Sequence, residues 1–220
     1  MKHVVVTIDG PAGTGKSTVA REVARRLGYL FLDTGALYRA AAVAVEDARG
    51  DIDDDAGAAE VVRRASIEMT EQGVFVNGTD VTARIRTNRI SSLSSRIAAL
   101  PSVRKALLGL QRSFREKSPL VAEGRDTGSV VFPDADLKFY LDASPQVRAR
   151  RRYDELVSKG STVSFEQVLK EMEERDGRDA SRDTAPLVVP QHAVVVDTTH
   201  LDCQGVTEKI VETIRSRLTY

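Results

Sequence analysis

Apolar and polar positions at the start of the chain follow two alternating patterns. Val4–Ile8 is almost uniformly apolar and β-branched, which is typical of a strand buried on both faces of a parallel sheet. In Ser17–Leu27 apolar residues recur at helical spacing, and Gly28 is suited to end that helix. Tyr29–Leu32 and Ala36–Arg49 repeat the same order. Strand, helix, strand, helix predicts an α/β fold.

The middle of the chain departs from this order. Asn77-Gly78 lies between two short apolar runs, Val74–Val76 and Thr79–Val81. This dipeptide is the strongest short hairpin signal, because both turn positions take a positive φ. Antiparallel strands within an α/β chain predict an inserted subdomain. Its other predicted elements are the acidic linker Asp51–Gly57, the short helix Ala58–Ala65, the strand Ser66–Met69, and the helices Arg84–Leu100 and Val103–Lys117.

The strand–helix order resumes further along the chain. Asp142-Ala143-Ser144-Pro145 is a helix start signal, with proline suited to the first turn. Three strands and three helices are predicted here: Leu120–Ala122, Leu137–Leu141 and Ala193–Val196, with Gln146–Lys159, Phe165–Gly177 and Asp202–Leu218. Together with the first two strands they predict a five-stranded parallel sheet between two helical layers.

Composition narrows the possible functions. The chain has 220 residues, which fits one domain or a core with an insertion. Lys and Arg number 32, as do Asp and Glu, and only 5% of residues are aromatic. We therefore expect no nucleic-acid partner. The single cysteine excludes an intramolecular disulfide. The longest apolar run, Ala40–Val45, is too short to cross a membrane, so we expect no membrane partner and a cytoplasmic location.

A phosphate-binding motif follows the first predicted strand. Gly10–Ser17 reads Gly-Pro-Ala-Gly-Thr-Gly-Lys-Ser and matches G-x-x-x-x-G-K-[ST] without a mismatch. Glycines let the backbone wrap a phosphate, and the N-terminus of the next helix faces the anion. Lys16 then reaches the β- and γ-phosphates, and the Ser17 hydroxyl binds Mg²⁺. The motif predicts a P-loop fold that binds a nucleoside triphosphate.

Other segments restrict the class of P-loop protein. No Asn-Lys-x-Asp occurs, although a GTPase needs it to recognise guanine. An ATPase motor has a hydrophobic strand that ends in adjacent acids, whereas Leu120–Ala122 runs into Glu123-Gly124. Phosphoryl transfer to a small molecule is what remains. The 24 Arg against 8 Lys also favour anion binding.

Three segments carry candidate anion-binding arginines. Asp33–Arg39 follows the second strand, where Asp33 could hold a magnesium-bound water and Arg39 an anion; Arg39 could also be a surface residue. Glu123–Gly128 places Arg125-Asp126 between glycines, either for a ligand or as a structural salt bridge. In Glu174–Asp183, a continuous helix would put Arg175, Arg178 and Arg182 on one face. Such a cation set suits phosphoryl transfer, although alternating Arg and Asp is also typical of a solvated face.

Taken together, these motifs resemble bacterial cytidylate kinases. The resemblance rests on the P-loop after Thr7-Ile8-Asp9, on Asp33–Arg39, on Gly124–Asp126 with Val130–Ala135, and on the Arg175–Arg182 cluster. It covers nearly the whole chain and is weakest in Glu46–Glu71. It implies a core of about residues 1–50, 118–145 and 187–220, an inserted subdomain of about 51–117 that binds the nucleoside monophosphate, and a lid of about 146–186.

The resemblance also implies a role for individual residues. ATP would lie on Gly10, Pro11, Ala12, Gly13, Thr14, Gly15, Lys16, Ser17 and Thr18. Thr34 and Arg39 would bind the acceptor phosphate, and Ser95, Arg104 and Asp126 would recognise cytosine. Arg175, Asp179 and Arg182 would hold the acceptor, with Arg125 and Arg178 as supporting cations. The implied catalytic residues are Lys16, Arg125, Arg175 and Arg178, and the implied metal-binding residues are Ser17 and Asp33.

The expected reaction is transfer of the γ-phosphoryl group of ATP, with Mg²⁺, to CMP or dCMP by a monomer. The acceptor phosphate has a second pKa of about 6 and is largely ionised at neutral pH, so no general base is needed. Three alternatives remain at this point. They are another acceptor such as UMP, AMP or a shikimate-like metabolite, a regulatory module that binds ATP without transfer, and a nucleic-acid-binding NTPase.

Overall fold

The computed structural model describes residues 3–70 and 72–218. Its strands, in chain order, are β1 (Val5–Asp9), β2 (Leu30–Asp33), β3 (Ile67–Met69), β4 (Val74–Val76), β5 (Thr79–Asp80), β6 (Leu120–Gly124), β7 (Leu137–Asp142) and β8 (Val194–Asp197). Its α-helices are α1 (Lys16–Leu27), α2 (Thr34–Asp47), α3 (Asp55–Arg64), α4 (Asn88–Ile97), α5 (Pro101–Ser113), α6 (Pro145–Ser158), α7 (Phe165–Ala180) and α8 (Cys203–Arg217). None of the helices in these residues is long and apolar enough to cross a membrane.

The larger of the two sheets is parallel and has the strand order β2-β6-β1-β7-β8. The predicted five-stranded parallel sheet is therefore confirmed. β1 lies in the centre and pairs in parallel with β6 and with β7. Its five residues are all buried, as expected for a strand that is apolar at Val5, Val6 and Ile8. The register pairs Ile8 with Glu123, and Asp9 with both Gly124 and Tyr140. Polar residues from three strands therefore meet at the carboxyl edge of the sheet.

The chain divides into two compact units. One contains the residues up to Leu32 together with those from Phe114 onward, and the other contains Asp33–Ser113. In the first unit, α1 packs on α8, and Val23 and Ile210 join strand residues such as Ile8 and Phe139 in one hydrophobic core. Burial of such apolar side chains is the main source of stability in a fold of this kind.

The second unit combines α2, α3, α4 and α5 with the antiparallel sheet β3-β4-β5. Asn77 and Gly78 have φ of 50° and 77°, so the predicted hairpin turn is confirmed. This unit begins earlier than the insertion predicted from residue 51. The alanine-rich helix α2 belongs to it, because α2 packs against α3, α4 and β4.

Two long helices predicted in this unit are shorter in the structure. Arg84–Arg86 forms a 3₁₀ turn, and Thr87 has an extended backbone and caps α4 through its hydroxyl. The predicted helix Arg84–Leu100 is therefore wrong at its start, because a side-chain cap competes with helix continuation. α5 likewise ends at Ser113, and the chain continues as a 3₁₀ turn over Phe114–Glu116.

In the first unit, α6 and α7 form a helical pair with its own small core of Ala149, Leu156, Val168 and Met172. Ser144 caps α6 and Pro145 opens it, as predicted. α7 ends at Ala180, just beyond the predicted end at Gly177, so the condition that Arg175, Arg178 and Arg182 share one continuous helix is not met. The reason is local: the carbonyl of Asp179 accepts from the amide of Leu187 and from Arg182 Nε, which turns the chain back.

Candidate phosphate-binding and nucleotide-binding site

The P-loop, Gly10–Ser17, joins the central strand β1 to α1. Gly10 has a φ of +146°, and a Cβ at this position would lie 2.0 Å from the carbonyl oxygen of Leu141. Gly15 has a φ of +86° and precedes α1 without a side-chain cap. Ser17 and Thr18, in the first turn of α1, are exposed. The start of α1, which is the positive end of its helix dipole, therefore lies at the surface.

Side chains hold the carbonyl groups of the P-loop. The Pro11 carbonyl accepts from Lys16 Nζ at 2.7 Å and from Thr14 Oγ1 at 3.2 Å. Arg148 Nη1 donates to the Ala12 carbonyl at 3.1 Å, and Thr198 Oγ1 donates to the Thr14 carbonyl at 3.3 Å. In a trans peptide the next N–H points the opposite way, and no cis peptide occurs in the described residues. The amides of Gly13 and Gly15 therefore point away from these anchors.

Lys16, within this loop, is only 5% exposed. Burial and the positive charges of Arg125 and Arg175 together lower its pKa to about 7, whereas Glu123 and Asp9 oppose the shift. The ammonium group therefore lies close to two of the predicted arginines. An anionic ligand would favour the charged form and raise the pKa of Lys16 again.

Ser17 donates a hydrogen bond to Glu123 Oε1 at 2.7 Å. Glu123 is buried at the end of β6, next to Ile8 in the register of the sheet. A hydroxyl beside a carboxylate is an oxygen donor set that fits Mg²⁺. Within the described residues no group of three or more His, Cys, Asp or Glu could hold a metal, so nucleotide oxygens would complete such a site. Glu123 had no predicted role as a metal ligand, although its place at the end of a core strand was a usable signal.

Asp9, fully buried, holds the segment that follows β6. Its carboxylate accepts from the amide and hydroxyl of Thr127 at 2.8 and 2.7 Å, and from the amide of Gly128 at 2.7 Å. Burial raises the pKa of Asp9 to about 6, although these hydrogen bonds oppose the shift. Thr127–Val131 forms a π-helical turn, which the sequence did not predict. The clamp fixes the backbone directly after Arg125 and the buried Asp126.

Asp179 lies between two of the predicted arginines. Arg125 Nε is 3.1 Å from Asp179 Oδ2, and Arg182 Nη2 is 3.8 Å from Asp179 Oδ1. Asp179 and the side chain of Arg182 are buried, so the two residues stay together although α7 ends between them. Arg178, by contrast, is exposed. The structure thus brings Lys16, Arg125, Arg175, Asp179 and Arg182 into one charged group and leaves Arg178 at the surface.

The second unit contains the other predicted acceptor-binding residues. Thr34 is buried at the start of α2. Asp33 caps that helix by accepting from the amide of Ala36 at 2.7 Å, and its other oxygen accepts from Arg39 Nη2 at 3.0 Å. Arg39 Nε is buried, and it has no hydrogen-bond partner among the described residues. That Asp33 holds a magnesium-bound water stays a prediction.

Ser95 and Arg104 lie on α4 and α5 of the same unit. Arg104 donates to the carbonyl of Ala98 at 2.9 Å, and its guanidinium lies 5.3 Å from the ring centroid of Tyr38, on α2. The hydroxyl oxygen of Ser95 is buried without a hydrogen-bond partner within the described part of the chain. Buried polar groups are nearly always paired in native proteins, so these atoms are suited to bind a ligand.

Comparison with known proteins gives a consistent result. The family model described as cytidylate kinase matches residues 6–216. The chain is 44% identical over 212 residues to the cytidylate kinase of Caldanaerobacter subterraneus subsp. tengcongensis, covering 96% of this chain and 95% of that protein. It is 44% identical to the cytidylate kinase of Citrifermentans bemidjiense, with 98% and 94% covered. For that of Coxiella burnetii the identity is 43%, with 97% and 92% covered.

Solved structures share the fold at low sequence identity. An uncharacterized protein from Eubacterium ventriosum superposes with a TM-score of 0.55 at 12% identity, covering 98% of this chain and 100% of that chain. TT1252 from Thermus thermophilus gives 0.50 at 23% identity, with both chains fully covered. Shikimate kinase from Bacteroides thetaiotaomicron gives 0.50 at 14% identity, with 99% of both chains covered. At these identities the similarities show the fold alone.

Proposed function

The chain belongs to the cytidylate kinase family, and from that membership we propose that it transfers the γ-phosphoryl group of ATP to CMP or dCMP, giving ADP with CDP or dCDP. The observation that carries the proposal is the charged group around Lys16, in which Arg125 and Arg175 lie close enough to lower its pKa. Closely spaced cations at the edge of a P-loop stabilise the negative charge of a triphosphate and of the phosphoryl group that is transferred.

ATP is the donor in this proposal. Its phosphates would lie in the P-loop, where the tied carbonyl groups and the uncapped start of α1 favour an anion. The residues assigned to ATP are Gly10, Pro11, Ala12, Gly13, Thr14, Gly15, Lys16, Ser17 and Thr18. Lys16 would exchange its hydrogen bond with the Pro11 carbonyl for the β- and γ-phosphates.

Mg²⁺ would be held by the Ser17 hydroxyl and by Glu123, whose hydrogen bond shows that both oxygens are within reach of one another. When bound, the ion would neutralise phosphate charge and orient the triphosphate. Asp33 stays the predicted ligand of a magnesium-bound water.

The acceptor nucleotide would bind to residues that recognise its phosphate, its base and its ribose. Thr34 and Arg39 would bind its phosphate. Ser95, Arg104 and Asp126 would recognise cytosine, whose carbonyl, ring nitrogen and amine need both donors and acceptors. Asp179 and Arg182 would bind the ribose and nearby groups. Arg39 Nε and Ser95 Oγ, which are buried and have no hydrogen-bond partner in the described part of the chain, support these roles, because a ligand would satisfy them.

Catalysis would come from alignment and from charge. The acceptor phosphate is largely ionised at neutral pH, since its second pKa is about 6, so its oxygen attacks the γ-phosphorus without a general base. The P–O bond to the β-phosphate breaks, and its electrons go to ADP. Lys16, Arg125 and Arg175 would neutralise the charge that spreads over the transferred group, and Arg178, which is exposed here, would join them when its segment closes over the site. Residues of about 146–186 would close as a lid and exclude water.

We further propose that the enzyme is a cytoplasmic monomer.

The proposal is tested by supplying ATP and Mg²⁺ with each nucleoside monophosphate separately and measuring ADP. We expect ADP with CMP and dCMP, and little with AMP or GMP. Lys16→Ala should reduce turnover by about a thousandfold in a folded protein, because a preorganised charge is lost. Lys138→Ala is the matched control, since Lys138 Nζ also donates to a carbonyl five residues earlier, that of Pro133. ATP binding without ADP from any acceptor would contradict the proposal and favour a regulatory module.

A further inference from the structure

The backbone of Ala12 is held on both sides by one ion pair. Its amide donates to Asp176 Oδ1 at 3.4 Å, and its carbonyl accepts from Arg148 Nη1 at 3.1 Å. The same Nη1 is paired with Asp176 Oδ2. The Ala12 side chain packs against the small core between α6 and α7. A P-loop residue is therefore bound to two helices that lie more than 130 positions further along the chain.

Arg148 is buried, and Asp176 is half-buried. The side chains of Arg148 and Asp176 are 9% and 19% exposed, and Arg148 Nε also donates to the carbonyl of Ala143 at 3.0 Å. The neighbouring Gly13 is equally close to the helices, since a Cβ there would lie 2.7 Å from the Arg148 carbonyl oxygen and 2.8 Å from Met172 Cε. The P-loop at residues 12 and 13 has no room to shift toward α6 and α7.

Stability alone does not explain an ion pair at this position. Two apolar side chains of similar size are often as stabilising as a buried ion pair, because burial of charge costs solvation energy. Apolar side chains, however, could not hydrogen-bond both the amide and the carbonyl of a loop residue. The arrangement controls backbone direction: with the Ala12 carbonyl fixed on Arg148, the N–H of Gly13 must point the opposite way.

We propose that Arg148 and Asp176 are a positioning pair that orients the Ala12–Gly13 peptide of the P-loop for the phosphates of the donor nucleotide. The inference rests on the proposed function, because it names residues that act on the donor site through the P-loop backbone. Neither residue needs to touch the nucleotide. Their removal should weaken donor binding and leave acceptor binding nearly unchanged.

The test is Asp176→Asn, which preserves the shape of the side chain and removes its charge. The amide group would present a donor to the Arg148 guanidinium, and the contact with Ala12 would loosen. We expect both KM for ATP and the Kd of ATP, measured by direct titration, to rise about tenfold, as for the loss of a hydrogen bond to a charged group. KM for CMP should change by less than about twofold. The double variant Arg148→Met/Asp176→Asn should raise KM for ATP no more than Arg148→Met alone, because the two residues act as a unit.

Glu155→Gln is the matched control. Glu155 forms exposed ion pairs with Arg152 on α6 and with Lys159 directly after that helix, so it tests loss of a carboxylate charge within the same helical pair but away from the P-loop. Its KM for ATP should equal that of the wild type. The proposal is overturned if Asp176→Asn lowers only the melting temperature and, while folded, binds ATP with the wild-type Kd. It is also overturned if Glu155→Gln raises KM equally. Failure of the proposed function would look different: the wild type would form no ADP, while the ATP titration would still report on the pair.

Discussion

At the scale of the residue, Lys16 is a charged group in surroundings that oppose its charge. Burial and the arginines Arg125 and Arg175 lower its pKa to about 7. In the free protein, burial of the Lys16 charge near other cations is unfavourable. The negative charge of a bound triphosphate would offset this free-energy cost. The buried lysine therefore fits a binding site better than a contact that stabilises the fold.

This pKa predicts how donor binding depends on pH. Because the pKa is lowered, Lys16 is charged below about pH 7 in the free protein and neutral above it. Only the charged form binds phosphate well, so kcat/KM for ATP at saturating Mg²⁺ and CMP should fall above pH 7, by up to about tenfold per pH unit. The Kd of ATP for Lys16→Ala should not change over the same range. A flat wild-type profile from about pH 6.5 to 9 would contradict the prediction.

Other site residues differ in how visible they were from the sequence. Lys16 and Ser17 belong to a contiguous motif, so spacing alone identified them. Glu123 was passed over, because a single acid after a strand is common and its hydrogen bond with Ser17 joins positions 106 residues apart. Only the pairing of β6 with β1 brings that carboxylate to the P-loop.

At the scale of the element, the P-loop depends on close backbone contact. We expect Gly10→Ala to lower the free energy of unfolding by roughly 3 kcal/mol, because its Cβ would collide with the Leu141 carbonyl oxygen. Gly109→Ala is the control, since Gly109 is exposed within α5 and has open space around it. It should instead stabilise the protein by about 0.5 to 1 kcal/mol. Urea denaturation measures both, and equal effects would contradict the steric explanation.

Element types were predictable, whereas several ends were not. Hydrophobic periodicity identified the strands and helices of the core, because each element buries one face or both. The predicted end of α7 at Gly177 differs from the observed end at Ala180, which depends on the hydrogen bonds that the Asp179 carbonyl accepts from Leu187 and Arg182. The break at Thr87 was missed for a similar reason, since a cap is a local alternative to a continued helix.

At the scale of the whole molecule, the predicted site residues are divided between the two compact units. The P-loop belongs to the first unit, and Thr34, Arg39, Ser95 and Arg104 belong to the second. The division predicts that donor and acceptor binding can be impaired separately.

Ser95→Ala tests this separation. The Ser95 hydroxyl has no hydrogen-bond partner among the described residues, so its loss should leave stability nearly unchanged. We expect KM for CMP to rise about tenfold, as for one lost hydrogen bond to a ligand, with the Kd of ATP unchanged. Ser94→Ala is the control on the same helix, because that hydroxyl already donates to the Ser91 carbonyl. A wild-type KM for CMP in Ser95→Ala would remove this residue from the proposed acceptor site.

The sequence by itself determined the α/β class, the parallel sheet, the inserted hairpin and the P-loop, and its motifs pointed to the family. Each of these features shows in contiguous residues or in the local period of apolar positions. Interactions between residues that are near in sequence are therefore sufficient to predict it. Tertiary structure alone decided which distant groups meet: Glu123 with Ser17, Asp179 with Arg125, and the Arg148–Asp176 pair with Ala12. Such contacts depend on how separate elements pack, and a charged residue in the sequence does not show which of many possible partners packing will bring to it.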